Sequence, residues 1–175
     1  MNFVRGAQNW IEDWERALCV VAHTDDMEFG AAAAVARWTG QGKKVVYCMV
    51  TSGEAGIDGL HPEQSREVRE AEQVESARIV GVDEVDFLGL RDGVLEYGVA
   101  LRRAIAEEVR LHRPEIVVTN NFRDSWGGRN LNQADHIATG RAVLDAVRDA
   151  GNRWVFADQL TDGLEPWGEV RQVWE

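Results

Sequence analysis

His23, Asp25 and Asp26 stand directly after an apolar run, Leu18, Cys19, Val20, Val21 and Ala22, and ahead of a helix-like segment of small residues. An imidazole and two carboxylates beside a core are costly to bury unpaired, so the combination points to a bound cation, most naturally a divalent metal. Far along the chain, Asp135 and His136 open a second helical pattern. Two imidazoles and a carboxylate form a catalytic zinc set that leaves a position for water or substrate. His23, Asp26 and His136 are the predicted ligands, provided that the fold brings residues 23–26 and 133–136 together.

Short β-branched runs at residues 18–22, 44–51, 85–88, 115–119 and 153–157 predict five strands. Helical spacing lies between them, in Val68, Ala71, Val74 and Ala77 or Ile79, in Leu101, Ile105 and Val109, and in Ile137, Gly140, Leu144 and Val147. Gly42, Gly81 and Gly151 sit where C-terminal caps belong. Strand and helix in alternation predict an α/β fold, a Rossmann-like parallel sheet flanked by helices on both faces, in one domain over residues 1–175. In such a sheet the ligand crevice lies beyond the carboxyl ends of the strands, where strand order reverses, between the first and fourth strands. Residues 23–26 follow the first strand. The irregular stretch 120–132, leading to Gln133, Asp135 and His136, follows the fourth, so one crevice is expected to collect them all. The glycine-rich stretch 52–62 is a second long loop of the kind that carries function. Carboxylates stand where a dinucleotide's pyrophosphate needs bare amides, so no NAD or FAD site is expected.

Several residues have plainer readings. Asp25, Asp26, Met27 and Glu28 also fit a capping box, which explains an acidic helix start but not His23. His61, beside Pro62, and His112, just before Arg113 and Pro114, are expected to face solvent. Trp126 is a candidate stacking surface for a sugar or else a packing plug, and Trp154, Trp167 and Trp174 are expected to seal a sheet edge or a subunit contact. With 19 basic and 30 acidic residues the net charge is −11, which argues against nucleic acid and anionic membranes. The first residues, with Trp10 and Trp14 among Glu12, Asp13, Glu15 and Arg16, read as a short amphipathic helix and not as a signal peptide. No apolar run approaches the roughly 20 residues of a membrane span. Cys19 and Cys48, each inside an apolar run, read as buried hydrophobes, which suits a cytoplasmic location.

The run Ala22-His23-Thr24-Asp25-Asp26-Met27-Glu28 resembles the A-H-P-D-D-x-E signature of the PIG-L or LmbE-like zinc deacetylases, and Asp135-His136 resembles the end of that family's H-x-D-H motif. Arg69 and Glu72, then Gly81-Val82, Phe87-Leu88 and Asp92, resemble its intervening pattern. The resemblance implies removal of the N-acetyl group from a small N-acetylglucosamine-type conjugate. It implies Zn2+ held by His23, Asp26 and His136, with Asp25 as general base toward a zinc-activated water. It further implies substrate contacts for Arg69 and Asp92. Asp135 is an expected catalytic residue, and Gln133 and Trp126 are expected on the substrate side.

Two departures bear on the chemistry. Gln133 replaces the first histidine of H-x-D-H, and an amide cannot shuttle a proton near neutral pH. Asp135 thereby loses an imidazole partner, and either Asp25 carries the proton from water to leaving amine or another group supplies it. Thr24 replaces the motif proline, which alters loop rigidity and not ligand chemistry. The chain also stops earlier than the resemblance implies, so a C-terminal element is expected to be missing or to come from a neighbouring subunit, which leaves room for a homo-oligomer. Two other readings stay open: a non-catalytic relative that keeps the metal or sugar pocket, and a zinc amidase acting on a non-sugar substrate.

Overall fold

The computed structural model describes residues 12–175. Its sheet is built from β1 (Arg16–Val21), β2 (Lys44–Thr51), β3 (Val85–Leu90) and β4 (Ile116–Thr119); a small hairpin of β5 (Ser125–Trp126) and β6 (Asn130–Leu131) follows, and then β7 (Gln172–Trp174). The order is β3-β2-β1-β4-β7, with every pairing parallel. The helices are α1 (Asp26–Gly30), α2 (Ala32–Gly40), α3 (Pro62–Ile79), α4 (Val99–His112) and α5 (Ala134–Ala150), with a 3-10 turn at Ala157–Asp162. None of the described helices is long and apolar enough to cross a membrane.

β1 and β2 are apolar along nearly their whole length because both of their faces are covered, as parallel sheets require. Leu18, Val20, Val46, Cys48 and Val50 point to one side, against Ile105 and Val109 of α4 and Val143 of α5. Ala17, Cys19, Val21, Val45, Tyr47 and Met49 point to the other, against Val35 and Trp38 of α2. The predicted α/β architecture with helices on both faces is thus observed. Cys19 and Cys48 lie on opposite faces, and burial pushes both thiols above their ordinary range.

Four sequence expectations are corrected. First, residues 153–157 form no strand. The buried guanidinium of Arg110 donates to the carbonyls of Asp149, Ala150, Asn152, Val155 and Phe156, and carbonyls gathered around one charge are not available to a ladder. The fifth strand is β7. Second, His112 does not face solvent: its side chain is 6% exposed, with Nε2 at 2.8 Å from Asp86 and 3.2 Å from Glu108. Third, Val68, Val74 and Ile79 of α3 are exposed, and its buried stripe is Ser65, Gln73 and Ala77. This helix turns a polar face inward. Fourth, Gly151 is not a left-handed cap, having φ −75. Its constraint is Gly168, whose Cα lies 3.1 Å from where a Cβ on Gly151 would stand.

The tryptophans are distributed differently from their order in sequence. Trp10 and the start of the expected amphipathic helix lie outside the described residues, and residues 12–15 are not helical. Trp14 is buried edge-on against Trp38 and Trp174, at centroid distances of 5.2 and 6.1 Å. Trp167 donates to the Pro114 carbonyl, whereas Trp154 is exposed.

Removing the Arg110 guanidinium leaves several buried carbonyls without a donor. Arg110→Met should therefore cost about 3 kcal/mol or more, read as a lowered urea midpoint. The His112 cluster should respond to pH. Burial pushes the imidazole down, but hydrogen bonds to Glu108 and Asp86 and their charges more than offset this, so it lies above the ordinary histidine value. A raised histidine value gives stability that is complete below about pH 6.5 and is lost as pH rises through the folded value. The advantage of wild type over His112→Gln in urea unfolding should accordingly shrink as pH increases from about 6. A pH-independent difference would contradict this.

Candidate metal centre

The carboxyl ends of β1 and β4 carry the residues singled out in the sequence. His23 follows β1, Asp26 begins α1, and the first turn of α5 supplies Asp135 and His136. α5 approaches closely because Gly140 has no side chain. A Cβ there would stand 2.7 Å from Phe122 Cβ and 2.9 Å from the Asn120 carbonyl oxygen. The two strand ends are tied by the Ala22 amide, which donates to Asn120 Oδ1 at 2.8 Å.

His23 Nδ1 lies 3.2 Å from His136 Nε2, which in turn lies 3.1 Å from Asp26 Oδ1. His23 Nδ1 and Asp26 Oδ2 are 3.7 Å apart. The outer nitrogens decide what these inner atoms present. His136 Nδ1 faces Asn132 Oδ1 at 3.1 Å, and the Asn132 amide is fixed because its Nδ2 donates to the carbonyls of Asn121 and Arg123. His23 Nε2 faces Asp92 Oδ1 at 3.2 Å and Asp135 Oδ2 at 3.3 Å. All three oxygens accept, so the outer nitrogens carry the protons and the inner ones present lone pairs. Two lone pairs and a carboxylate aimed at one point repel each other unless a cation sits among them. His23, Asp26 and His136 form such a metal-competent group. Without a cation, a proton on His136 Nε2 takes its place: burial raises the Asp26 carboxyl, but that hydrogen bond and charge, with the His23 amide, outweigh it and leave the group below its ordinary value.

Asp25 is not one of the converging donors; its carboxylate is held by Arg69 and lines the cavity beside them. It precedes α1 at φ 107 and makes no side-chain cap, while Glu28 accepts from Gln73 and Ser76 of α3, so the capping box is not formed. A non-glycine residue in left-handed backbone costs about 1–3 kcal/mol and persists only where its surroundings impose it. α3 imposes it here. Gln73 Oε1 accepts the Asp25 amide at 3.0 Å, and Arg69 donates to Asp25 Oδ2 and to the Thr24 carbonyl, each at 2.6 Å. This explains the polar inner stripe of α3. The Asp25 side chain stays 48% exposed.

A cavity of about 830 Å³ opens beside the donors, and Asp25, Asp26, Trp126, Gln133 and His136 all line it. Trp126 stands edge-on to His136 with ring centroids 6.2 Å apart. Three expected residues lie elsewhere. Arg69 is on the far side of Asp25, paired also with Glu72. Asp92 and Asp135 stand behind His23. Asp135 accepts the amides of Gly93 and Leu95 at 2.7 and 3.0 Å, and Asp92 accepts that of Ala55 at 2.8 Å. The imidazole partner that Asp135 was expected to lack is His23. Loop 52–62 is anchored at its start, since the buried Glu54 accepts the amides of Ser52 and Asp92.

Asn120, Asn132 and Gln73 were missed in the sequence. Asn132 precedes His136 by one helical turn, and Gln73 follows Arg69 by one, so spacing could have suggested both. Asn120 acts only through the neighbouring strand and left no local signal.

Residues 18–147 match the pattern of the PIG-L family, described as GlcNAc-PI de-N-acetylase. A diacetylchitobiose deacetylase of Thermococcus kodakarensis is 31% identical over 156 residues, covering 88% of this chain and 57% of that protein. The structure of an N,N'-diacetylchitobiose deacetylase from Pyrococcus horikoshii aligns with a TM-score of 0.82 at 25% identity, covering 89% of this chain and 57% of the other. A conserved protein of Thermus thermophilus aligns with a TM-score of 0.73 at 30% identity, covering 90% and 64%. The chain thus spans less than two thirds of the length of each of these proteins.

If Asn132 fixes the ring of His136, Asn132→Ala should weaken divalent-metal affinity about 10–100-fold. Competition against a chelating indicator measures this, and an unchanged affinity would contradict the assignment.

Proposed function

The chain belongs to the PIG-L family of GlcNAc-PI de-N-acetylases, and on that premise we propose that it is a zinc-dependent hydrolase of the N-acetyl group of a small N-acetylglucosamine-type conjugate. Relatives named as deacetylases of diacetylchitobiose and of GlcNAc-inositol and GlcNAc-malate conjugates support the substrate class. The observation that carries the reading is the convergence of His23 Nδ1, His136 Nε2 and Asp26: the two nitrogens are 3.2 Å apart, with Asp26 Oδ1 3.1 Å from His136 and Asp26 Oδ2 3.7 Å from His23. Ligands about 2.0–2.2 Å from a tetrahedral zinc stand about 3.3–3.6 Å apart, so these donors fit the ion with little movement. Zinc held there supplies polarisation of the amide carbonyl and a water acidified toward neutrality.

The remaining chemistry falls to side chains. Asp25 is the base in this proposal. Arg69 fixes its carboxylate through Oδ2 and leaves Oδ1 to take the proton of the attacking water. Asp25 then returns the proton to the departing amine, because Gln133 on the cavity wall can hold a substrate group by hydrogen bonding but cannot protonate it. Asp92 and Asp135 act through His23, keeping its Nε2 protonated and its Nδ1 free. Arg69 acts through Asp25. Trp126, half exposed beside His136, offers a face for a sugar ring. Gln133 also favours a second reading, a relative that binds metal and sugar without turnover.

Metal content and acetate release separate these readings. The protein should hold one zinc per chain and release acetate from N-acetylglucosamine conjugates, with chelation abolishing and zinc restoring the activity. Asp25→Asn should keep the metal and lower kcat about 10²–10⁴-fold. Metal without acetate from any conjugate would support the binding reading, and no zinc even on reconstitution would overturn both.

A further inference from the structure

Neither Gln73 nor Glu28 lines the cavity beside the donors, so whatever they contribute to chemistry passes through another residue. Gln73 is 2% exposed, and a buried amide is costly unless its polar ends are bonded. Its Oε1 accepts the Asp25 amide at 3.0 Å, and its Nε2 donates to Glu28 Oε1 at 3.0 Å. A glutamine side chain can be turned either way round, but the Asp25 backbone N–H can only donate, so only one orientation serves it. Glu28 settles the choice. A carboxylate can only accept, so it takes the Nε2 end and leaves Oε1 for Asp25. Ser76, on the same helix as Gln73, also donates to Glu28 Oε1 and holds that carboxylate against α3.

The consequence lies in the backbone of Asp25. Its φ is 107 and its ψ −18, and its carbonyl accepts the amides of Glu28 and Phe29 at 3.1 and 3.3 Å, so with the bond to Gln73 the peptide groups on both sides of its Cα are tied. A left-handed φ turns the Cβ to a different side of the chain from an ordinary helical φ, which is how two adjacent aspartates serve different partners: Asp26 faces His136, and Asp25 reaches Arg69 and the cavity. Arg69 holds the end of the Asp25 side chain but does not fix its φ. Resting on the hydrolytic reading of this site, we propose that Gln73 and Glu28 are positioning residues of the reaction: Glu28 fixes the polarity of the Gln73 amide, and Gln73 holds Asp25 in the left-handed backbone that presents its carboxylate to the substrate.

A charge swap tests this in the zinc-loaded protein, with cooperative urea unfolding as the check that each variant folds. Gln73→Met, similar in length and without polar atoms, should lower kcat about 10–100-fold while KM and zinc affinity stay within about twofold. Gln73→Glu should lower kcat as well, because a second carboxylate then faces Glu28. Adding Glu28→Gln reverses the polarity of the pair while keeping both hydrogen bonds and the net charge, and it should recover about tenfold or more of the lost kcat. A role in packing alone would not be rescued in this way. Crystal structures supply a readout independent of turnover: Asp25 should leave the left-handed region in Gln73→Met and occupy it again in the double variant. If the wild type releases acetate from no conjugate, the hydrolytic reading fails, and the Asp25 backbone alone decides whether Gln73 imposes its conformation. Full kcat in Gln73→Met, a double variant no more active than Gln73→Glu, or an Asp25 that keeps its positive φ without Gln73 would overturn the proposal. So would zinc affinity that falls in step with kcat, since Gln73 would then act through the ligands and not through Asp25.

Discussion

A parallel ladder from Ala17 opposite Ile116 to Val20 opposite Thr119 holds β1 beside β4, and the donors of the metal centre hang from its far end. His23 and His136 are 113 positions apart in the chain and 3.2 Å apart in space. Nothing local could bring them together. The chain leaves β1 toward β2 and β3 on one side and places β4 and β7 on the other, so the strand ends between the two halves are covered by no crossover. Asn120 closes the join with a bond to the Ala22 amide, and Gly140 lets α5 descend far enough to present His136.

The crowding of carboxylates around His23 is resolved by giving each a different partner. Asp26 faces the histidine nitrogens, and Asp25 is paired with Arg69. Asp92 and Asp135 commit their oxygens to backbone amides and to the outer His23 nitrogen. Of these four acids, only Asp25 and Asp26 line the cavity. In a chain of net charge −11, four adjacent acids would otherwise repel one another strongly. A cation at the inner face of the histidines relieves the remaining repulsion.

The strand runs and the alternation of elements made the fold legible, because buried parallel strands are written as unbroken apolar runs. The grouping of His23, Asp26 and His136 was legible for a related reason: both segments follow apolar runs that the alternation of elements places side by side. What escaped depended on tertiary context. The run at 153–157 looks aromatic and apolar enough for a strand, but a single buried arginine from α4 claims the Val155 and Phe156 carbonyls. The face of α3 was misread because a helix that serves a site turns Arg69 and Gln73 toward it, leaving Val68 and Val74 exposed. His112 looked like a helix-end histidine, and only the packing of α4 under β3 gave it Asp86. The partners of Asp135 were invisible for the same reason.

His23 turns Nδ1, and not Nε2, toward His136 and Asp26. The other nitrogen faces a second metal-competent group, Asp92 with Asp135. A crystal structure of the zinc-loaded protein with anomalous data at the zinc edge tests this most directly. The account predicts one anomalous peak among His23 Nδ1, Asp26 and His136 Nε2, with Asp92 and Asp135 still bonded to backbone amides. A peak at His23 Nε2 between Asp92 and Asp135, or none at either place, would contradict it.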